Sequence, residues 1–152
     1  MRSVGCFAVA VVLAATTLPA FAGGADNKFP DMQSIEALEA RATQAQPREQ
    51  CFLYAELVHQ MTELSVRQYA NGDVDKASDL LKHIQHIAQK IHLSMAEKDK
   101  RLKNTEILLS HTAFRLNEML HSSSFEDRPL VQAALSDVTQ AQNEAMMQVF
   151  RK

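Results

Sequence analysis

Apolar residues recur every three or four positions along most of the chain, which is the period of an amphipathic helix. Each run carries one apolar stripe with polar residues on the opposite side, so the stripes are expected to pack together as one core. The predicted helices span residues 32–45, 47–70, 74–97, 99–121 and 127–150. We therefore predict an all-α fold, an antiparallel bundle of four long helices plus a short N-terminal helix.

Residues that start or end helices separate these stripes. Pro47 and Pro129 suit a first helical turn, because the backbone nitrogen there has no intrahelical acceptor to lose. Gly72 suits the left-handed position that follows a helix, and Asp73 is then placed to cap the next helix. The sequence thus predicts sharp boundaries at these positions.

The boundary near residue 98 is less distinct, because a charged run interrupts the apolar stripe without glycine or proline. Two arrangements are open: a tight connection between two helices, or one helix over residues 74–120, about 70 Å long at 1.5 Å per residue. A compact domain cannot cover both halves of such a rod, whereas a dimer could. We favour the break.

The N-terminus has the pattern of a secretory signal peptide. A basic residue, Arg2, precedes an uncharged apolar run that ends before Pro19, and Ala20 and Ala22 place small residues three and one before a cleavage point. We predict cleavage between Ala22 and Gly23 and export to the periplasm or the extracellular space. An uncleaved membrane anchor is the alternative, but the strongly apolar part is shorter than a spanning helix.

Cleavage defines the remaining organisation and charge. Residues 23–31 are predicted to be an extended segment and residues 32–152 a single helical domain, with no membrane span left. The whole chain has 16 Lys and Arg against 18 Asp and Glu, and loss of Arg2 lowers its net charge from −2 to −3. This balance argues against a nucleic-acid partner.

Cleavage also removes Cys6 and leaves Cys51 as the single cysteine. No intramolecular disulfide can then form, so the fold depends on its apolar core. In an oxidising compartment an exposed Cys51 thiol could join two chains, whereas a buried thiol could not. Both alternatives are open from the sequence.

The sequence contains no convincing catalytic group, and we predict neither an enzyme nor a cofactor. Two Glu-x-x-His motifs, Glu56 to His59 and Glu118 to His121, resemble the ligand pattern of ferritin-like di-iron bundles. However, helical projection places Glu56, His59 and Glu118 far from the apolar stripes of their helices. We expect those side chains to face water.

A second candidate for a metal site is formed by Asp79, His83 and His86. Their spacing places the three side chains on one face of a helix, and two imidazoles at this spacing could share one zinc or copper ion. The face is opposite the apolar stripe and also carries Lys90. A solvated polar face is therefore the favoured interpretation.

The helix predicted over residues 99–121 has a second apolar side. Ile107, Phe114 and His121 recur at intervals of seven, away from the main stripe. Either the short helix 32–45 covers this side, or it is a surface that binds a protein partner or a second copy of the chain.

Two segments carry resemblances to known proteins. Residues 64–81 resemble the hinge of a tetratricopeptide-type helical hairpin, although no second copy follows at the expected period. The segments 104–107 and 125–129 resemble parts of an uncharacterised family of exported helical proteins. The second resemblance implies a helical fold and an export route, and no activity.

The function that follows is a non-enzymatic helical bundle of the cell envelope, which acts in protein interaction or self-association. The alternative is a carrier of a small ligand or metal in the same compartment, with His83 and His86 as its ligands.

Overall fold

The computed structural model describes residues 29–95 and 101–151, and within these ranges the chain is all-α without a strand. The predicted signal peptide, its cleavage point at Ala22 and Gly23, and most of the predicted extended segment lie outside the described residues. The helices are α1 (Met32–Gln44), α2 (Pro47–Ala70), α3 (Val74–Ser94), α4 (Leu102–Ser122) and α5 (Arg128–Phe150). The predicted all-α class and the bundle of four long helices with a short N-terminal helix are confirmed.

Local chemistry accounts for several of the helix boundaries. The Asp31 carboxylate accepts a hydrogen bond from the Ser34 backbone N–H at 2.8 Å, and the Asp31 N–H donates to Ser34 Oγ, which closes a capping box at α1. Pro47 begins α2 as predicted, and Gly72 adopts φ +85° after it. Asp73 occupies the N-cap position of α3 as predicted, but its carboxylate makes no capping hydrogen bond and pairs with Lys76 Nζ at 3.4 Å instead.

The four long helices form two antiparallel hairpins, α2 with α3 and α4 with α5. The hairpins pack so that α2 lies beside α4 and α3 lies beside α5. His59 of α2 contacts Thr112 of α4, and Glu63 further along α2 contacts Arg115 further along α4, so these two neighbouring helices run parallel. The predicted antiparallel packing therefore holds within each hairpin but not between the two hairpins. Among the described residues α3 and α4 make no close contact and occupy opposite corners of the bundle.

This arrangement decides between one helix and two over residues 74–120. The α3 helix ends at Ser94, and Met95 has an extended backbone with ψ 98°. Because α3 and α4 run in opposite directions at opposite corners, the predicted break is confirmed. The helix ends predicted at 97 and 99 were wrong by three residues each, because α3 already ends at Ser94 and α4 begins only at Leu102.

The core lies between the four long helices, and α1 adds a small extension of it on one side. The apolar stripes predicted from the sequence are buried in it. Its largest fully buried side chains are Ile35, Leu57, Val58, Met61, Leu81, Ile84, Ile87, Ile91, Leu109, Leu116, Val131 and Val138. Cys51 is also fully buried, so in the folded state its thiol cannot form a disulfide with a second chain.

The end of the bundle where α4 turns into α5 is fastened to α2 by Tyr69. The Tyr69 hydroxyl donates to Asp127 Oδ2 at 2.9 Å and accepts from the Ser124 backbone N–H at 2.8 Å. Ser124 Oγ donates to the same carboxylate at 2.6 Å. One hydroxyl thus connects the first hairpin to the turn of the second.

We expect Tyr69→Phe to lower the free energy of unfolding by about 1 to 2 kcal/mol, because it leaves a carboxylate and a backbone N–H without this partner. Urea unfolding followed by circular dichroism measures the change. Tyr54→Phe is the matched control, because the Tyr54 ring packs beneath Lys90 Nζ, 5.8 Å from the ring centroid, and keeps that contact. Equal stability of Tyr69→Phe and the wild type would contradict the fastening role.

Candidate interaction surface on α4

The second apolar side of α4 is solvent-exposed among the described residues. The Ile107 side chain is 44% exposed, Phe114 is 61% exposed, and His121 is exposed as well. These residues lie seven apart and extend over about 21 Å of helix. We refer to Ile107, Phe114 and His121 as the α4 strip.

The short helix α1 does not cover this strip, so that interpretation of the sequence was wrong. It runs antiparallel along α2, where the Arg41 guanidinium pairs with Glu56 at 3.3 Å and Gln50 Nε2 donates to the Ala42 carbonyl at 3.2 Å. Glu39 reaches α3 and contacts His83 at 3.1 Å. Because α1 lies towards the α3 side of α2, it is directed away from α4.

A groove beside the strip separates α2 from α4. It has a volume of about 590 Å³, with Phe114 on its rim. The residues that line it are His59 and Glu63 of α2 and Ser110, His111, Phe114 and Arg115 of α4. The strip and this groove are continuous, so an occupant of the strip would also meet polar groups of α2.

Arg115 of α4 links the two walls of the groove by hydrogen bonds to Glu63 of α2. Its Nε donates to Glu63 Oε1 at 2.7 Å and its Nη2 donates to Glu63 Oε2 at 3.1 Å, which is a bidentate pair. Its Nη1 donates to Glu118 Oε2 at 2.6 Å. These hydrogen bonds, with Glu63 first, raise the pKa of Arg115 above its ordinary value. The guanidinium therefore stays charged and holds the groove rim in place.

His59 lies at the contact between α2 and α4, which corrects the expectation that it faces water. Its Nδ1 is 3.1 Å from Thr112 Oγ1, and that hydroxyl donates its single proton to the Leu108 carbonyl at 2.8 Å. The hydroxyl must then accept, so the His59 ring carries its proton on Nδ1. Burial lowers the pKa of His59, and Glu63 opposes that shift.

The lowered pKa of His59 predicts a pH-dependent stability. In the unfolded chain His59 becomes protonated below about pH 6.5, whereas in the folded chain it becomes protonated only at a lower pH. The free energy of unfolding should therefore fall as the pH drops from 6.5 towards the lowered folded pKa. Urea unfolding at pH 7.5 and 5.5 should show a smaller loss for His59→Gln than for the wild type. Exposed His121→Gln is the control and should keep the wild-type loss; an unchanged loss in His59→Gln would contradict the prediction.

The structure does not bring the two Glu-x-x-His motifs together. Glu56 pairs with Arg41, His59 contacts Thr112, and Glu118 pairs with Arg115. Within residues 29–95 and 101–151, no group of three or more His, Cys, Asp and Glu side chains is arranged to hold a metal ion.

The histidine pair on α3 is close but otherwise engaged. The rings of His83 and His86 have centroids 6.5 Å apart. His83 Nε2 contacts the Glu39 carboxylate, and Asp79 pairs with Lys82 at 3.2 Å. The two imidazoles are therefore neighbours on α3, whereas Asp79, the predicted third ligand, is paired with a neighbouring lysine.

Sequence reasoning missed the link between Glu63 and Arg115. The two residues lie 52 positions apart, and neither forms part of a motif. Their charges alone did not predict the pair, because one must first know that α2 packs against α4.

No family model matches the chain, and neither a curated protein nor a solved structure matches it. Among the described helices none has an apolar stretch sufficient to span a bilayer.

Proposed function

We propose that this protein is a non-enzymatic self-association module of the cell envelope, and that it forms a homodimer through its α4 strip. The observation that carries the proposal is the exposure of Ile107 and Phe114 on one face of a well-packed helix. Large apolar side chains exposed in a row on a folded domain are typical of interaction sites. Export by the predicted signal peptide is part of the proposal.

The spacing of the strip favours a second copy of the same chain as the occupant. Ile107 and His121 lie at equal distances of seven residues on either side of Phe114. Antiparallel packing about a two-fold axis at Phe114 therefore pairs Phe114 with Phe114 and Ile107 with His121. An isologous contact of this kind closes on itself and gives a dimer.

The charges beside the strip are compatible with that axis. Antiparallel packing about Phe114 places Ser110 opposite Glu118 and His111 opposite Asn117, so no like charges meet. Arg115 is already paired with Glu63 and Glu118 and adds no unbalanced charge to the contact. Electrostatic repulsion therefore does not oppose the homodimer.

The length of the strip sets the expected affinity. A single helix contact of about 21 Å buries less than the roughly 800 Å² per partner of a standard interface. Residues of the groove, such as His59 and Glu63, would add polar contacts at its edge. We therefore expect a reversible dimer with a dissociation constant on the order of 10 μM.

Sedimentation velocity of the purified wild-type protein over a range from about 1 to 300 μM tests the proposal, because these concentrations bracket the expected dissociation constant. The weight-average sedimentation coefficient should rise from the monomer value to the dimer value. A monomer at every concentration would contradict self-association. Co-purification of a different protein on the strip would favour a heterologous partner instead.

A further inference from the structure

A second exposed site lies in the groove between α3 and α5, at the end of the bundle where both helices finish. This cavity of about 440 Å³ is independent of the α4 strip. The residues that line it are His92, Met95, Glu144, Met147, Gln148 and Arg151. The combination of one imidazole and two thioethers in one cavity is not explained by the proposed dimer.

The imidazole of this cavity is oriented by a carboxylate. His92 Nδ1 contacts Glu144 Oε2, and Glu144 Oε1 accepts from Gln140 Nε2 at 3.2 Å. With Nδ1 engaged, Nε2 is the nitrogen of His92 that remains for a ligand. Histidines that bind metals usually have this arrangement, in which a carboxylate holds the other ring nitrogen.

The two methionines supply soft sulfur ligands. Met147 is 64% exposed on α5, and Met95 is half-buried at the end of α3, where it packs against the core and also lines the cavity. The exposed Met147 side chain does not contribute to the core, and its sulfur is accessible to a ligand. Thioether and imidazole ligands together select soft ions such as Cu(I) over Mg²⁺, Ca²⁺ or Mn²⁺.

The side chains of the cavity carry little net charge. Arg151 lines the same cavity as Glu144, so the two charges largely compensate each other. Without a net negative charge to favour a divalent ion, the softness of the ligands decides which ion binds. We propose that His92, Met95 and Met147 bind a soft monovalent cation, Cu(I), through imidazole Nε2 and two thioether sulfurs.

Silver(I) is the probe for this site, because it has similar ligand preferences and is stable in air. In the full chain labelled with ¹³C at the methionine methyl groups, one equivalent of Ag(I) should shift the Met95 and Met147 resonances. Met32 and Met146 are exposed methionines outside the cavity and should shift much less. Equal shifts at all four methyl groups would overturn the proposal and indicate adventitious sulfur binding.

Matched variants test the ligands individually. Met95→Leu and Met147→Leu conserve volume and should each weaken Ag(I) binding at least about tenfold, as should His92→Gln. Met146→Leu lies on the same helix and should bind like the wild type. Undiminished affinity in Met95→Leu and Met147→Leu would overturn the site, and thermal unfolding verifies that each variant is folded.

Discussion

Leu116→Ala is expected to lower the free energy of unfolding by about 2 to 5 kcal/mol, the cost of emptying a leucine-sized space in a close-packed core. Leu116 is fully buried on α4, and α4 packs against both α2 and α5. The cavity would therefore weaken the contact between the two hairpins. Urea unfolding followed by circular dichroism at 222 nm measures the loss.

The matched control for this loss is Leu93→Ala on α3. The Leu93 side chain is 83% exposed, so its truncation leaves no cavity and should change the free energy of unfolding by about 0.5 kcal/mol or less. If Leu93→Ala destabilised the protein as much as Leu116→Ala, the assignment of core and surface on these helices would be wrong.

Phe114→Glu is expected to weaken dimerisation by about 100-fold or more without unfolding the monomer. In the proposed dimer the two substituted side chains would meet at the two-fold axis, where like charges in contact cost several kcal/mol. The monomer should stay folded because Phe114 is 61% exposed and belongs to no part of the core. Sedimentation velocity and thermal unfolding measure the two effects separately.

Leu93→Glu controls for a general effect of added negative charge. It removes an exposed leucine from α3, which makes no close contact with α4 among the described residues. Its dimerisation should match that of the wild type. Equal weakening by Leu93→Glu and Phe114→Glu, or unfolding of Phe114→Glu alone, would count against the α4 strip as the interface.

The helices could be predicted from the sequence because their determinants are local. The proline at 47 and the glycine at 72 mark boundaries through backbone geometry, without reference to other helices. The apolar period then identifies which side of each helix is buried, as at Ile84 and Ile87 of α3. The boundary residues and the apolar period can each be recognised from a few neighbouring positions of the chain.

The pairing of helices could not be predicted in the same way. An apolar stripe indicates that a face is buried, but not which helix covers it. The broad stripe of α2 reflects its contacts with three helices, α1, α3 and α4, and this explains why His59 is half-buried despite its distance from the stripe centre. One must also know which helices pack together to predict that α1 lies against α2 and that Arg115 forms a bidentate pair with Glu63.

Disulfide cross-linking at Phe114 tests the central claim most directly. At the proposed two-fold axis, Phe114→Cys places two thiols within disulfide distance, whereas Cys51 is fully buried and should not react. Mild oxidation with diamide should convert Phe114→Cys rapidly to a covalent dimer linked through position 114, and exposed Leu93→Cys only slowly. Cross-linking of Phe114→Cys no faster than Leu93→Cys would contradict a homodimer through the α4 strip.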